Sequence, residues 1–459
     1  MRFKLYDIAS ATQAVGNIWE FDNYEIKSIK TDSRLIEPGD LFVCLEGSRF
    51  DGHGFVEDAL KRGAVAILGE KPLSFKKIPY LLVQNSLNAL ADIVKLARKR
   101  FKGKVIAITG SSGKTTVKEF LASILNMKFK VGKTFKNWNN DLGVPLSVFS
   151  FNGDEDFWIL ELGVSRVGDM DRLGAMVEPD IVVLLNIGIS HVEGLGGFRG
   201  VLKEKVKLVD FLKPEGVVFF NEDIPELRAE ILKKDIKSFG FSTCLKSKFC
   251  GKYLGADDSG CRAELSLDGS VLEVSLKYPG EFMVENAIAA ASVGYFLKVD
   301  IGDIKLGLQN AVLPEHRAHI KEYNGFIIID DCYNANPLST KKSIGTALDI
   351  SKHKGLDLVL FLGDMKELGT FSHNEHKLLG EFVANLSIDF IFYYGEYADD
   401  FIEGYRRIKE PVFFKKINSE GEFHNYLGKL NMSKSVILFK ASRGCKLERF
   451  VKIFQEFIK

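Results

Sequence analysis

The hydrophobic residues of this chain fall into short, nearly continuous runs, each about the length of one buried strand. Such runs are typical of a parallel sheet that is covered on both faces. Stretches with helical spacing lie between them, which predicts an α/β protein. The candidate strands are VIAIT (105–109), FWILEL (157–162), DIVVLLNIG (180–188), FIIIDD (326–331), LVLFLGD (358–364), FIFYYGE (390–396) and SVILFKAS (435–442).

The first hundred residues carry a similar pattern in shorter pieces. Strand-like segments come first, and a helix-like stretch follows at 54–68, where apolar side chains recur at helical spacing. A further helix is predicted over 88–100, and residues 101–105 read as a linker because a long apolar strand begins there. The region therefore predicts a small α/β unit of its own.

A different pattern marks residues 240–280, where Gly-rich turns separate short alternating stretches. This pattern predicts an antiparallel appendage to the central unit. A helix over 286–297 then leads to a boundary near Pro314. At about 150 residues per domain, 459 residues suggest three domains. We predict their bounds as 1–98, 99–312 and 313–459.

Composition excludes several classes of protein. Lys and Arg number 62 against 61 Asp and Glu, so the net charge is +1 and no broad positive field is available for nucleic acid or anionic membranes. The N-terminus lacks an apolar signal region, and no apolar run approaches the roughly 18 residues of a membrane span. We therefore expect a soluble cytoplasmic protein. The six scattered cysteines form no CxxC pair, which favours free thiols.

The clearest chemical motif is a glycine-rich loop between the strand at 105–109 and the helix that follows it. A strand, a glycine-rich turn and a helix N-terminus together form a cradle of backbone N–H groups for phosphate. Lys114 can reach the β- and γ-phosphates of ATP, and the Thr115 hydroxyl can bind Mg²⁺. Ile108 stands where the usual pattern has glycine, so this is the shorter TGxxGKTT form. The predicted ATP-binding residues are Gly110, Ser111, Ser112, Gly113, Lys114, Thr115 and Thr116.

Two further residues follow strands that could neighbour this loop. Phosphoryl transfer needs a second metal-binding acid, and Glu161 ends one candidate strand. His191 lies in the segment NIGISHVEG, just past the end of another. Ligands gather at such strand ends in open sheets. From position alone, each residue could equally be a solvated or internally bonded side chain.

Taken together, several segments resemble the Mur ligase superfamily of ATP-dependent amide-bond-forming enzymes. The resemblance spans all three predicted domains, and four further segments are similar to the branch that adds D-alanyl-D-alanine to UDP-N-acetylmuramoyl-tripeptide. The DNPR-type signature of the sister enzyme that adds the third amino acid is absent. The family-wide segments are TGSSGKTT (109–116), NWNNDLGVP (137–145), ELGVSRVGDM (161–170), NIGISHVEG (186–194) and PEHR (314–317). The branch segments are TDSRLIEPGDLFVCLEGSRFDGHGF (31–55), IDDCYNANP (329–337), LGDMKELG (362–369) and KASRGCKLERF (440–450).

The resemblance implies a fold and an activity. The implied fold is α/β with a small N-terminal domain for the UDP-sugar substrate, a central P-loop domain with a parallel sheet, and a Rossmann-like C-terminal domain. The implied reaction joins the two substrates through an acyl phosphate and releases ADP and phosphate, in peptidoglycan precursor synthesis. It requires domain closure to exclude water, so we expect hinges near 98–104 and 312–316. We also expect a monomer.

It also implies two Mg²⁺ sites. Thr115 and Glu161 would bind the first ion and His191 the second, while Lys114 and the loop amides hold the triphosphate. Lys205 aligns with a lysine that the family often carries as a carbamate near the second ion. A solvated helix lysine is the alternative for Lys205, and Lys203 and Lys207 offer other registers.

The remaining implied roles concern nucleotide and substrate binding. A polar turn or a helix cap is the alternative reading for several of these residues. For the nucleotide they are Asn286 at adenine, Arg317 at the phosphates, and Asp331, Asn334 and Asn336, which would bring the third domain onto the nucleotide. For the UDP-sugar and peptide substrates they are Ser33, Arg34, Asn139, Asn140, Asp364, His376, Ser442 and Arg443.

Four positions depart from the family pattern. The family usually has Asn at Ser165, Thr at Leu185, and His and Asn at Phe282 and Met283. Two other hypotheses remain at this point. Another Mur-type or folylpolyglutamate-type ligase would share the central domain but should lack the DSR and DGH segments of the first. A non-catalytic ATP-gated binding protein would not need a second metal site.

Overall fold

The structure is a computed structural model of the chain. It describes residues 1–17, 24–48, 50–73, 78–257, 259–428 and 434–458. The strands are Phe3–Lys4 (β1), Glu25–Ile26 (β2), Ile29–Lys30 (β3), Leu41–Val43 (β4), Ala66–Gly69 (β5), Tyr80–Leu82 (β6), Lys104–Thr109 (β7), Val131–Lys133 (β8), Phe157–Glu161 (β9), Ile181–Leu184 (β10), Val217–Asn221 (β11), Lys237–Ser242 (β12), Phe249–Asp257 (β13), Gly260–Leu267 (β14), Ser270–Leu276 (β15), His319–Tyr323 (β16), Phe326–Asp330 (β17), Asp357–Gly363 (β18), Phe390–Tyr394 (β19), Phe414–Ile417 (β20) and Ser435–Lys440 (β21).

Helices alternate with these strands over most of the chain. The α-helices are Leu5–Thr12 (α1), Val56–Lys61 (α2), Ser86–Arg100 (α3), Lys114–Leu125 (α4), Gly143–Phe149 (α5), Asp169–Val177 (α6), Val192–Leu195 (α7), Phe198–Val206 (α8), Pro225–Leu232 (α9), Glu281–Phe296 (α10), Ile301–Asn310 (α11), Pro337–Lys354 (α12), Ser372–Ala384 (α13), Ala398–Arg406 (α14), Glu420–Leu427 (α15) and Glu448–Phe457 (α16). Short 3₁₀ turns are Ser33–Leu35, Gly52–Phe55, Lys207–Phe211, Gly369–Phe371 and Arg443–Cys445. Within the described ranges, no helix has the length and apolar character to span a bilayer.

Three sheets in which parallel pairing dominates follow one another along the chain, which confirms the α/β class. The first has the order β3-β4-β5-β6 and is parallel throughout. The central sheet has the order β15-β14-β13-β12-β11-β10-β7-β9-β8, and the third has the order β16-β17-β21-β18-β19-β20. The expected antiparallel segment is β13–β15, and it continues the central sheet.

The central strand β7 shows why its sequence is apolar without alternation. Val105 and Ala107 point into the core on one face of the sheet. Ile106 and Ile108 point into the other core, beside α4 and α10. Both faces are buried, so every position favours an apolar side chain. The carboxyl end of β7, at Thr109, is thereby placed between the ends of β9 and β10.

One predicted helix is wrong in its extent. The stretch at 54–68 was expected to be helical, but α2 ends at Lys61 and the chain then enters strand β5. Gly63 has φ of 105°, and a Cβ there would lie 2.9 Å from the Pro38 Cα. This left-handed glycine ends the helix, and the apolar residues after it fill an inner strand of the first sheet.

Candidate functional site

The phosphate loop has the predicted strand–turn–helix geometry. It leaves β7 at Thr109, and α4 begins at Lys114. Gly113 has φ of 81°, and a Cβ there would lie 2.3 Å from the Asn286 Oδ1 atom. Only glycine satisfies both the backbone conformation and the space. The glycine therefore brings Asn286, from α10, against the loop whose amides face a cleft.

That cleft lies between the central and third domains and has a volume of about 440 Å³. Its walls combine phosphate-loop residues with side chains from β9, α10 and the segments before α12. Most of the nucleotide and metal residues that the sequence suggested meet here. The predicted residues in its walls are Ser111, Ser112, Gly113, Lys114, Thr115, Thr116, Asn139, Asn140, Glu161, His191, Asn286, Arg317, Asp331, Asn334, Asn336 and Arg443.

Thr115 and Glu161 form an oxygen pair at the base of the cleft. The Thr115 hydroxyl donates to the Glu161 Oε2 atom at 2.8 Å, and the Asn139 amide donates to Oε1 at 2.7 Å. Glu161 is buried, and within the described part of the chain no cationic side chain donates a hydrogen bond to its carboxylate. Carboxylate and hydroxyl oxygens held this close suit a small divalent cation.

Two lysines converge beneath the loop. Lys114 Nζ donates to the Gly110 carbonyl at 2.8 Å, and Lys205 Nζ donates to the same oxygen at 3.1 Å. Burial lowers the pKa of both amines. The charge of Arg317 lowers the pKa of Lys114 further, whereas Glu161 raises it. In the same way, Lys114 lowers the pKa of Lys205 further, whereas Glu204 raises it.

The structure also distinguishes the three lysines, in α8 and the turn after it, that could occupy the position of the family's carbamate lysine. Lys205 is 1% exposed and lies under the loop, although it does not line the cleft. Lys203 is exposed, and Lys207 pairs with Asp171 at 2.6 Å. Of the three, Lys205 is the lysine beside the phosphate loop.

His191 stands opposite a carboxylate from the third domain. Its Nδ1 atom lies 2.7 Å from the Glu367 Oε2 atom, and both residues line the cleft. The hydrogen bond from His191 lowers the pKa of the Glu367 carboxyl. Glu367 was not selected from the sequence, although it lies in the LGDMKELG segment. Nothing in that segment alone indicated a partner in another domain.

Asn186 and Glu285 were also missed. Asn186 Oδ1 accepts from the Ser112 amide at 2.8 Å, which braces the loop from the end of β10. Glu285 accepts from Asn221 at 3.2 Å and pairs with Lys342 of α12. The position of Asn186 directly after an apolar strand was a usable signal, as it was for His191.

Arg317 brings an unpaired donor to the cleft. Its guanidinium lies over the Tyr333 ring, 4.0 Å from the centroid. Its Nε atom is buried and has no hydrogen-bond partner among the described residues. Buried donors normally have partners, so this unpaired Nε–H, in a cleft that the phosphate loop also lines, fits a phosphate oxygen.

The predicted third-domain residues differ in what they contact. Asn336 caps α12 by accepting from the Ser339 amide, and its Nδ2 atom lies 3.4 Å from the Ser111 carbonyl. Asn334 is exposed in the cleft wall. Asp331 is buried and accepts from Lys440 at 2.6 Å. Asn336 thus contacts the phosphate loop directly, whereas Asp331 organises the third domain behind it.

Besides Lys205, five predicted residues and loop Gly110 lie outside the cleft walls. Ser33 is buried beside Asp58, and Arg34 is exposed and paired with Asp32 at 2.7 Å. Both belong to the first domain, none of whose described residues lines the cleft. Gly110 lies beneath the loop, where a Cβ would come within 2.9 Å of the Leu185 Cβ atom.

The other three lie within the third domain and are bonded internally. His376 is fully buried; its Nδ1 atom contacts the Ser372 carbonyl at 2.6 Å, and its Nε2 atom accepts from the Met365 amide at 3.0 Å. Asp364 accepts from the Glu396 amide, and the Ser442 hydroxyl accepts from the Lys366 amide. The structure therefore assigns these three side chains to holding strand-end loops together.

The four residues that depart from the family pattern lie in two places, the wall of the cleft and the space beneath the phosphate loop. Ser165, Phe282 and Met283 line the cleft, so they change its wall. Leu185 is buried against Gly110. None of the four changes the residue type at Lys114, Thr115, Glu161 or His191.

Comparison with known proteins gives matches in all three parts of the chain. Residues 25–102 match the description "Mur ligase family, catalytic domain". Residues 108–294 match "Mur ligase middle domain", and residues 316–443 match "Mur ligase, glutamate ligase domain". The order of these matches agrees with the three sheets.

Similar proteins extend over nearly the whole chain. The UDP-N-acetylmuramoyl-tripeptide–D-alanyl-D-alanine ligase of Bacillus subtilis is 32% identical, over 94% of each chain. A crystal structure of MurF from Acinetobacter baumannii is 30% identical, with a TM-score of 0.91 and 99% of each chain covered. MurF ligase from Thermotoga maritima in complex with ADP is 30% identical, with a TM-score of 0.82 over 94% of this chain and 97% of that one. The chain belongs to the Mur ligase family.

Proposed function

We propose that this protein is an ATP-dependent ligase that joins D-alanyl-D-alanine to UDP-N-acetylmuramoyl-tripeptide and releases ADP and phosphate. The relative from Bacillus subtilis carries this activity in its name. The observation that carries the proposal is the cleft itself, where the phosphate loop, the Thr115–Glu161 oxygen pair and the unpaired Arg317 donor converge. The reaction belongs to peptidoglycan precursor synthesis.

ATP fits the donors that surround the cleft. The amides at the start of α4 would receive phosphate oxygens, and Lys114 would neutralise charge on the transferred group. The buried Nε atom of Arg317 supplies a donor from the opposite wall. Asn286 lies against Gly113, at the side of the loop where the adenine would lie. These groups supply positive charge locally, in a chain with a net charge of only +1.

Two Mg²⁺ sites are part of the same proposal. Thr115 and Glu161 would hold one ion, because their oxygens already lie 2.8 Å apart in a buried position. His191 and a carbamate on Lys205 would hold the other. Bound there, Mg²⁺ would stabilise negative charge on the phosphate oxygens.

The chain's own residues then account for the rest of the chemistry. The tripeptide carboxylate attacks the γ-phosphorus of ATP, the bond to ADP breaks, and an acyl phosphate forms. The free amine of D-alanyl-D-alanine attacks the acyl carbon, phosphate leaves, and the amine loses a proton to give the amide. Lys114 stabilises charge during the first step. The third domain covers the cleft and so limits hydrolysis of the acyl phosphate.

The Lys205 carbamate is supported by burial of that amine. Carbamate formation requires a neutral amine, whose lone pair adds to carbon dioxide with loss of a proton. Burial and the neighbouring Lys114 lower the pKa of Lys205, which favours the neutral form. The product is an anionic oxygen ligand in place of a cation, beside the phosphate loop.

The substrate ends are assigned to the outer domains. Ser33 and Arg34 would contact the UDP-sugar, and Asn139 and Asn140 the part of that substrate nearer the cleft. For the dipeptide, Arg443 in the cleft wall is the direct candidate. Asp364, His376 and Ser442 would act by holding the loops around it. We propose that the protein is a monomer that works in the ATP-supplying cytoplasm.

Substrate-dependent phosphate release tests the proposal. Phosphate should appear only when ATP, Mg²⁺, UDP-N-acetylmuramoyl-tripeptide and D-alanyl-D-alanine are all present. The product should gain the mass of the dipeptide less one water. Release with a folate and glutamate instead would identify a folylpolyglutamate-type ligase. ATP binding without release under any of these conditions would indicate a nucleotide-gated binding protein.

A further inference from the structure

The contact between His191 and Glu367 joins two domains at the edge of the cleft. We propose that Glu367 is a positioning residue, which orients the His191 imidazole for a divalent cation only when the third domain is docked on the central domain. The inference rests on the proposed function in one respect, the assignment of His191 as a metal ligand. It adds a residue from the third domain to a site otherwise built by the central one.

The His191–Glu367 contact fixes the position of the imidazole proton. The His191 Nδ1 atom and the Glu367 Oε2 atom are 2.7 Å apart. An ionised carboxylate can only accept a hydrogen bond, so the proton in this contact lies on Nδ1. In the neutral imidazole, the Nε2 atom then carries the lone pair that is free to bind a metal ion. Metal-binding histidines commonly have this arrangement, with a carboxylate on the nitrogen that does not bind the metal.

Both residues also have an unusual backbone conformation. His191 has φ of 53° and Glu367 has φ of 65°, so both are in the left-handed region. Non-glycine residues in this region cost free energy and are concentrated at functional sites, where the surroundings hold them. Here the two left-handed residues face each other across a domain boundary. A surface ion pair with no further role would not require either conformation.

The loop that carries Glu367 lies very close to the helix that follows His191. Glu367 is followed two residues later by Gly369, whose φ is 52°. A Cβ on Gly369 would lie 3.0 Å from the Cβ of Glu193, in the short helix α7 that follows His191. The glycine therefore lets the third-domain loop lie directly on α7. If the third domain moved away, Glu367 would leave His191 and the imidazole would lose its orienting partner.

Manganese binding tests this inference without turnover. Wild-type protein with a non-hydrolysable ATP analogue is titrated with Mn²⁺, and free Mn²⁺ is followed by electron paramagnetic resonance. We expect two bound ions. Glu367→Ala should weaken one of them about 10- to 100-fold, the usual effect of removing such a partner. Glu367→Gln should weaken Mn²⁺ binding less, because its amide oxygen still accepts the hydrogen bond from Nδ1.

Glu193→Gln is the matched control, since it removes a neighbouring carboxylate from α7 itself. It should bind Mn²⁺ as wild type does. His191→Ala should weaken the same ion as Glu367→Ala, and adding Glu367→Ala to His191→Ala should cause no further loss. Independent, multiplicative losses in the double variant would overturn the proposal. So would normal binding of both ions by Glu367→Ala, or a single ion in the wild type.

Folding and function are separated by two more measurements. Glu367→Gly relieves the left-handed strain, so it should melt no earlier than wild type yet bind Mn²⁺ as weakly as Glu367→Ala. Since the titration contains neither tripeptide nor dipeptide, it does not depend on the ligase assay. Failed ligation with intact His191–Glu367 coupling would refute the substrate assignment alone. Successful ligation with no coupling would refute the role of Glu367 alone.

Discussion

The two junctions between domains are built very differently. At the first, Arg98 is buried; it donates to the Val177 carbonyl and pairs with Asp180 at 2.6 Å. Phe101 stacks on Trp158 with ring centroids 3.8 Å apart. The end of α3 is thus packed firmly into the central domain, against α6 and β9.

The second junction has a more exposed chain. Val312 is 69% exposed, and His316 has φ of 64°. Beyond it, the third domain meets the cleft through polar contacts, such as Glu285 with Lys342 and Asn336 with Ser111. Polar contacts in a solvated cleft can exchange for water at little cost, whereas a buried guanidinium and a stacked tryptophan cannot. We infer that stability resides at the first junction, and that closure over the nucleotide uses the second.

Two hinges are expected from the sequence. The hinge at residues 312–316 remains a prediction. Residues 98–104 include Arg98 and Phe101, which are anchored to the central domain, and α3 is continuous from Ser86 to Arg100. A movement of the first domain would therefore have to bend the chain before α3.

The largest effect is expected when the first junction is broken. Arg98→Ala should lower the free energy of unfolding by about 3–5 kcal/mol, because it leaves Asp180 and two carbonyls without their buried partner. Chemical denaturation measures this loss. Arg100→Ala is the control, since that arginine pairs with Asp7 and is 39% exposed. Equal, small losses in both variants would contradict a rigid first junction.

The next effect concerns the cleft rather than the junctions. Lys114→Ala should lower the rate of phosphate release about 10²- to 10³-fold, because the transferred group loses a stabilising charge. The variant should melt no earlier than wild type, because the substitution removes a buried cation beside Lys205. Lys128→Ala, beyond the end of α4 and exposed, should behave as wild type. Undiminished release by Lys114→Ala would show that the phosphate loop is not the site of transfer.

A smaller loss is expected at Lys205. Lys205→Ala should lower kcat about 10- to 100-fold, and small added carboxylates should restore part of it by replacing the carbamate oxygen. Lys203→Ala, on the exposed face of the same helix, provides the comparison. A full-rate Lys205→Ala enzyme would remove the carbamate from the mechanism.

The smallest effect is expected at the second junction. Lys342→Ala should change the free energy of unfolding by no more than about 1 kcal/mol, since Glu285 keeps its bonds from Asn186 and Asn221. It should raise the KM for ATP several-fold, because the third domain closes less readily. Steady-state kinetics alongside denaturation measure both. A stability loss as large as that of Arg98→Ala would mean that the two junctions do not differ.

Much of the fold was readable because it depends on local pattern. The buried strands at 105–109 and 157–162 have a length and composition that leave few alternatives. The phosphate loop was predicted in full, because Gly113 needs a left-handed backbone and Lys114 must begin a helix. The error at 54–68 has the opposite origin. Its apolar residues suit a helix or a strand equally, and only the neighbouring strands decided between them.

The candidate site divides in the same way. Residues next to a strand end, such as Glu161 and His191, could be selected from the sequence, because parallel strands end at one edge of a sheet. Glu285, Glu367 and Lys342 could not, because each acquires its partner from a distant element. The first-domain pair Ser33 and Arg34 remains a prediction, since it lies outside the cleft in this arrangement.

By itself, the sequence determined the α/β class, the phosphate loop and the family to which the motifs point. These depend on backbone conformation, burial periodicity and residues close together in the chain. Tertiary structure alone decided that Lys205 rather than Lys203 or Lys207 lies beneath Gly110, and that Glu367 faces His191. The physical reason is that such contacts join elements that are distant along the chain, within one domain or between two, and their packing depends on the shape of whole surfaces rather than on any local pattern.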